Sequence, residues 1–321
     1  MQGVLPIYAS DVILNDSLYV SFENEPAHDV TGVTKDMFSS VWKDLREKFM
    51  TGENLSRISL AHGNIRGEAD YQSIGRILEH GFSLVGYVPI FLNPAQLYFL
   101  TTGSPPSKEM LLKSFLECLS EYDSSTLKRA LEMDIFDQEF KVKLIDLLSS
   151  YQIKGLPQPR EFGVFLREIA KYELIIKPYF ALSHLKRKFW PTGEQRFLQW
   201  LERLKPNGEK VSLILKTPED IDLDPHVDRV FGFLKRFVAG LNQIRSKTFL
   251  RFVTGIEVIE PFTKISVQFN GVTDLEKMAP MVHPCGNNLT ISKYFFTYEH
   301  LEEIFTRVID HPEFWNSFSL L

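Results

Sequence analysis

Two cysteines in 321 residues are too few for a disulfide framework, and a structural zinc site would want more thiolate ligands than Cys118 and Cys285 can supply. No run of about 18 apolar residues occurs, so no membrane-spanning helix is expected. The opening residues, MQGVLPIYASDVILND, lack the basic start and apolar stretch of a secretory leader. With thiols expected to stay reduced, the chain is assigned to the cytoplasm or nucleus, and the sequons at Asn15, Asn54 and Asn288 read as chance matches. A P-loop, a His-Glu-x-x-His zinc motif and a Gly-x-Ser-x-Gly elbow are all missing. No cofactor and no metal are therefore expected. Charge of one sign is also scarce. Lys plus Arg is 36 against 41 Asp plus Glu, a net charge of −5. From Pro225 onward the count is ten of each, with no basic stripe, which argues against nucleic acid as a partner.

What is present is globular. Apolar residues make up 44% and charged residues 24%, values that exclude wholesale disorder, and 26 Phe point to aromatic-filled cores. The length suits two domains or one large one. Ser17–Phe22 alternates like a strand. Thr34 is placed to cap a helix carrying Phe38, Val41, Trp42, Leu45 and Phe49 on one stripe. A second helix covers Tyr71–Leu84, and three more cover Lys108–Tyr122, Ser125–Met133 and Asp137–Tyr151. A long apolar helical segment, Glu161–Phe189, should break at Pro178. Asp222-Leu223-Asp224-Pro225 marks a boundary, with Asp224 as cap and Pro225 as first residue of a new helix. Beyond it, Ser246–Thr254 is a helix ended by Gly255. Ile265, Val267 and Phe269 form a strand, and Leu289 and Ile291 another. Tyr298–His311 is a last helix capped by Thr297. The pattern is a mostly helical first part and an α/β last part of about 100 residues.

The two thiols stand in different settings. Cys118 follows Leu111, Leu112 and Phe115 on the apolar face of a helix and reads as a buried small hydrophobe. Cys285 lies in Pro280-Met-Val-His-Pro-Cys-Gly-Asn-Asn288, a polar, loop-like stretch in which helical packing cannot account for a thiol. His283 is two residues upstream, and in an extended segment such positions share a side. A nearby imidazole raises the thiolate fraction, and the thiolate is the nucleophile. The bland alternative is an incidental loop thiol. Glu302 and Glu303 read as the solvated face of the last helix.

Four segments together resemble the HECT domain of ubiquitin ligases. "LYVSFENEPAHDVTGVTKDMF" is similar to that family's opening strand, acidic turn and first helix, with Glu25, Asp29, Gly32 and Phe38 at matching places. "IGRILEHGFSLVGYVPIFL" resembles its Gly-Arg helix, which ends in a Pro near Pro89. "FLRFVTGIEVIEPF" resembles its Phe-Val-Thr-Gly segment, and "MVHPCGNNLTISKYFFTYEHLEEIF" its catalytic loop, strand and last helix. There are departures. Pro284 stands where the family usually has Thr, Gly286 where an aromatic is usual, and Thr31-Gly32 where it has Gly-Gly.

The resemblance implies an α+β, bilobal fold. A larger, mostly helical N-terminal lobe would cover 1–222, including a helical subdomain at 99–157 that docks the ubiquitin-conjugating enzyme. A smaller α/β catalytic lobe would cover 223–321, joined by a hinge near Leu223–Pro225. It implies a thioester-forming ligase whose partners are ubiquitin, a conjugating enzyme and a substrate protein. Cys285 would be the catalytic thiol and His283 its candidate activator. Asn287 would donate to a developing oxyanion or position ubiquitin, and Phe318, fourth from the C-terminus, would help place the ubiquitin thioester. The alternatives are a non-catalytic HECT-like module that binds ubiquitin or a partner and, more remotely, a papain-like thiol hydrolase.

Overall fold

Helix caps written into the sequence set most element boundaries of the structure, a computed structural model that describes residues 3–20, 32–59, 67–153, 155–190, 193–217, 224–260, 262–274 and 278–311. The helices, in chain order, are α1 (Gly32–Phe49), α2 (Glu68–Val85), α3 (Pro94–Thr102), α4 (Lys108–Glu117), α5 (Glu121–Glu132), α6 (Gln138–Ser149), α7 (Pro159–Lys171), α8 (Tyr179–Leu185), α9 (Glu194–Leu204), α10 (Gly208–Ile214), α11 (Pro225–Ala239), α12 (Gln243–Thr254) and α13 (Tyr298–Asp310). The strands are β1 (Met50–Thr51), β2 (Arg57–Ile58), β3 (Leu215–Lys216), β4 (Ile265–Asn270), β5 (Met281–His283) and β6 (Asn288–Ser292). The fold is therefore mixed α+β, mostly helical, with one two-stranded and one four-stranded sheet among the described residues.

The chain divides into two compact units. The first takes Met1–Asp16, Trp42–His80 and Pro89–Gln199. Its helices start where side chains satisfy their first N–H groups: Ser107 Oγ accepts from the Met110 N–H, Ser120 from Asp123, and an Asp137 oxygen from Phe140. Helix α3 lies at the centre, all nine of its residues buried. The Asn93 carboxamide caps it by accepting from the Ala95 and Gln96 N–H groups, and Gly103, in the left-handed conformation, ends it. The long apolar segment breaks at Pro178 as expected, after a π-helical turn at Tyr172–Ile176.

The second unit takes Ser17–Val41, Gly81–Val88 and Trp200–Leu321. Its sheet has the order β3-β4-β6-β5. β3 and β6 run parallel to β4, and β5 pairs antiparallel with β6. The inward residues Ile265, Val267, Leu289 and Ile291 are fully or nearly fully buried and share a core with Leu234, Phe249, Val253 and Phe305 of α11, α12 and α13. Caps at Asp224, Asn242 and Thr297 and the left-handed Gly255 delimit these helices. The joint expected near Leu223–Pro225 falls inside this unit; Asp222 and Leu223 lie outside the described residues. Upstream of it, Val211 and Leu215 already belong to the same core.

Two local expectations are corrected. Ser17–Val20 forms no strand; Tyr19 is exposed while Leu18 and Val20 are half-buried, and Ser21 and Phe22 lie outside the described residues. Thr34 does not cap α1 but is its third residue, buried, because the helix already starts at Gly32.

Candidate active site

Cys285 sits at the tip of the β5–β6 hairpin. The register pairs His283 with Asn288, leaving Pro284–Asn287 as the connecting loop. Proline at the first position of a tight turn supplies the required φ, and Pro284–Gly286 forms one turn of 3₁₀ helix. Asn287 follows at φ 50°, ψ 41°, a left-handed conformation that Asn tolerates better than most residues. Its N–H donates to the Pro284 carbonyl at 3.2 Å, and its own carbonyl accepts from the Ser266 N–H of β4 at 3.0 Å. The loop is thus fixed at both sides, and the Cys285 residue it presents is exposed.

Helix α12 packs against this loop and against β5. The amino end of α1 comes closer still. A Cβ built on Gly32 would lie 2.9 Å from the Cys285 amide nitrogen, 3.0 Å from Pro284 Cβ and 3.1 Å from Cys285 Sγ. Gly255, which ends α12 with φ 81°, packs on the same turn of α1: a Cβ there would stand 3.0 Å from the Gly32 carbonyl oxygen. Polar bonds hold this junction together. Ser39 Oγ donates to the Gly255 carbonyl at 3.3 Å, Lys35 pairs with Glu260 at 2.8 Å, and Arg251 reaches Asp36 at 2.9 Å and Ser40 Oγ at 3.2 Å. Nearby Tyr87 is fully enclosed, and burial pushes its phenol well above the ordinary value.

The expected site residues fare differently. His283 ends β5 and is exposed. The 3₁₀ turn starts at Pro284, so no extended segment joins it to Cys285 and the alternation argument for the pair does not apply. Asn287 is half-buried, and its Oδ1 is buried with no hydrogen-bond partner among the described residues. Phe318 lies outside the described residues. Cys118 is buried just past the end of α4, where Asn93 Nδ2 donates to its sulfur at 3.1 Å. Burial raises its thiol pKa, as expected for an unreactive core cysteine. Glu302 and Glu303 are exposed, as expected.

Sequence reasoning named Gly32 only as a match in a turn. A glycine at the first position of an amphipathic helix was the available signal, and its partner lies at the other end of the chain. Among the described residues no group of three or more His, Cys, Asp or Glu side chains is placed to hold a metal ion, and no helix is long and apolar enough to cross a membrane. Chemically, the arrangement offers one accessible thiol on a braced loop, suited to nucleophilic attack on a carbonyl brought to it. No protein-family model matches the chain, and no curated protein matches it.

Proposed function

We propose that the chain is the catalytic domain of a HECT-type ubiquitin ligase. Cys285 takes ubiquitin from a conjugating enzyme as a thioester and passes it to a substrate lysine. One observation carries this reading furthest. The opening helix, the Phe252-Val253-Thr254-Gly255 segment and the cysteine loop, three of the segments in which the resemblance resides, meet within one compact unit around Cys285. Residues brought together by the fold from positions this far apart form a site that packing of a single element does not explain.

In the first step the Cys285 thiolate attacks the carbonyl carbon of the incoming thioester, and the conjugating enzyme's cysteine leaves as a thiolate. The exchange trades one thioester for another and is nearly neutral, so alignment and a thiolate are what it requires. In the second, a lysine amine attacks the new thioester, an isopeptide bond forms, Cys285 leaves as thiolate and the amine gives up a proton. The conjugating enzyme docks on the helical region 99–157 in this reading. Exposed Ile135 and Ile145 there border a groove of about 440 Å³, together with Phe136, Leu156 and Pro157. The competing reading, a non-catalytic HECT-like module, draws its support from Pro284 and Gly286, which stand where the family usually has Thr and an aromatic.

The test is a loading assay with activating enzyme, a panel of conjugating enzymes, ubiquitin and ATP. The expected result is a ubiquitin adduct that disappears on adding a thiol reductant, is lost in Cys285→Ala and persists in Cys118→Ala. Cys285→Ser should trap a reductant-resistant ester. An adduct lost in Cys118→Ala but kept in Cys285→Ala refutes the assignment, and no adduct from the folded wild-type chain with any conjugating enzyme favours the non-catalytic module.

A further inference from the structure

We infer that Arg76, His80 and Arg187 form a docking site for a linear peptide motif, Leu-x-x-Tyr-x-x-Asp. The chain's own residues 4–16 occupy it as a releasable ligand, which the same motif from another molecule can replace. The inference is independent of Cys285 and of the ligase reading.

The segment is held as a bound peptide is held. It forms two 3₁₀ turns, Ile7–Ala9 and Asp11–Asn15, and side chains three apart in such turns share a face. Leu5, Tyr8 and Asp11 have that spacing. Leu5 and Tyr8 are buried, whereas Ile7 and Val12 face solvent. Among the described residues, the backbone–backbone hydrogen bonds of this segment stay inside it: Ile7 to Val4, Tyr8 to Leu5, Ala9 to Pro6 and Asp16 to Ile13. Its ties to the rest of the first unit run through side chains instead. The Tyr8 hydroxyl donates to His80 Nδ1 at 2.9 Å, and the two rings meet edge-on at 5.7 Å. Arg76 Nη1 donates to the Tyr8 carbonyl at 3.1 Å, and His80 Nε2 to the Asp16 carbonyl at 3.1 Å. No sheet ladder or shared helix has to break for the segment to leave.

The receiving surface is built for a carboxylate. Helices α2 and α8 approach closely at Gly75, where a Cβ would stand 2.4 Å from the Leu185 carbonyl oxygen. Arg76 follows that glycine, Arg187 follows α8, and the two converge on one atom. Arg76 Nε and Arg187 Nη2 both donate to Asp11 Oδ1, the second at 3.1 Å. Arg187 is held in place from the other side, its Nε donating to Glu79 Oε2 at 2.7 Å. Among the described residues, the ion pairs of these two arginines are with Asp11 and Glu79 alone. Without Asp11, two guanidiniums would share one acid, with the Arg76 side chain only 11% exposed. A partly buried cation left unpaired is costly, and a guanidinium fork matches a carboxylate. The Asp11 side chain is itself 62% exposed, so solvent and a competing carboxylate can reach this contact.

The experiment uses the full chain and a fluorescent peptide, VLPIYASDVILND, the sequence of residues 4–16. Asp11→Lys in the chain sets a like charge against the two arginines and releases its own segment without opening a cavity. This variant should bind the peptide saturably in an anisotropy titration. Wild type, whose tethered segment competes at high effective concentration, should bind at least about tenfold more weakly. A peptide carrying Asp11→Asn should lose about tenfold in affinity for the variant, because charge-assisted bonds to both arginines go. The native peptide should also raise the melting temperature of the variant and leave that of wild type unchanged. Tyr8→Phe combined with Asp11→Ala gives a second, milder opened chain, which keeps the buried ring. Equal binding of the native and Asn peptides overturns the inference, as does equal binding by wild type and variant. No binding to either opened chain at about 1 mM peptide overturns it too. If neither opened chain folds, the segment is part of the core rather than a ligand, and the inference fails.

Discussion

Gln96 on α3 is fully buried, and its carboxamide treats Ile58 as a neighbouring strand would. Its Oε1 accepts the Ile58 N–H at 2.7 Å, and its Nε2 donates to the Ile58 carbonyl at 3.1 Å and to the Leu174 carbonyl of the π-helical turn at 2.8 Å. Gln96→Met keeps the length and nearly the volume but removes all three bonds. It leaves one backbone N–H and two backbone carbonyls short of a partner in the interior. A buried polar group so stranded costs about 1–3 kcal/mol. Three of them, partly relieved because Met has no amide to desolvate, sum to about 4 kcal/mol. That is a large share of the 5–15 kcal/mol by which whole domains are typically stable. The assay is urea unfolding of wild type and Gln96→Met, paired with hydrogen exchange at the Ile58 amide. At typical slopes of about 1–3 kcal/mol per molar urea, the transition should move down by more than 1 M. A loss below about 1 kcal/mol with unchanged protection at Ile58 would refute the reasoning, because it would mean that the three groups find other partners.

Two further outcomes are expected. His80 Nε2–H donates to the Asp16 carbonyl at 3.1 Å while Nδ1 accepts from the Tyr8 hydroxyl at 2.9 Å, and burial, the dominant cause, lowers its pKa. The neutral ring is thus the form the fold prefers. Stability from His80 is fully present above the unfolded value of about 6.5 and is lost as pH falls from there through the lower folded value. Melting temperatures from pH 7.5 to 5 should fall less steeply in His80→Gln, and parallel slopes would remove His80 as the cause. On the proposed docking surface, Ile135→Asp combined with Ile145→Asp should slow ubiquitin loading by tenfold or more while leaving Cys285 alkylation unchanged. Loading at the wild-type rate would place the conjugating enzyme elsewhere.

How much of this was legible in the sequence depended on the range of the interaction that decides each feature. Helix ends are decided by side chains within three residues, and Asp224 with Pro225, Thr297 and Gly255 were all read correctly. Helix α3 was overlooked because every face is buried: with no polar side there is no stripe to detect, although Asn93-Pro94 and Gly103 signalled both its ends. Strand β5 was missed because three residues between prolines carry too little pattern, and its existence depends on β6. The same stretch was read as extended through Cys285, whereas the strand ends at His283 and a 3₁₀ turn follows. The exposure of Cys285 followed from the loop-like composition around it, and the burial of Cys118 from the apolar helix face it continues. The close approach of Gly32 to Cys285 did not, because no local preference reports a contact between opposite ends of a chain.

The way the second unit is assembled bears on how the protein is made. Its first segment leaves the ribosome early, yet the partners of that segment come late. Ser39 waits for Gly255, 216 residues on, Lys35 for Glu260, 225 on, and Asp36 for Arg251, 215 on. At roughly 5–20 residues per second, the first turns of α1 spend about 10–45 s without the contacts that fix them. The first unit ends at Gln199 and can close before those partners exist. Synthesis therefore passes through a stage in which one unit is complete and the bracing of the cysteine loop is missing. A chain cut off before Gly255 would never leave that stage, and the cysteine loop, which follows Gly255 in the chain, is made later still.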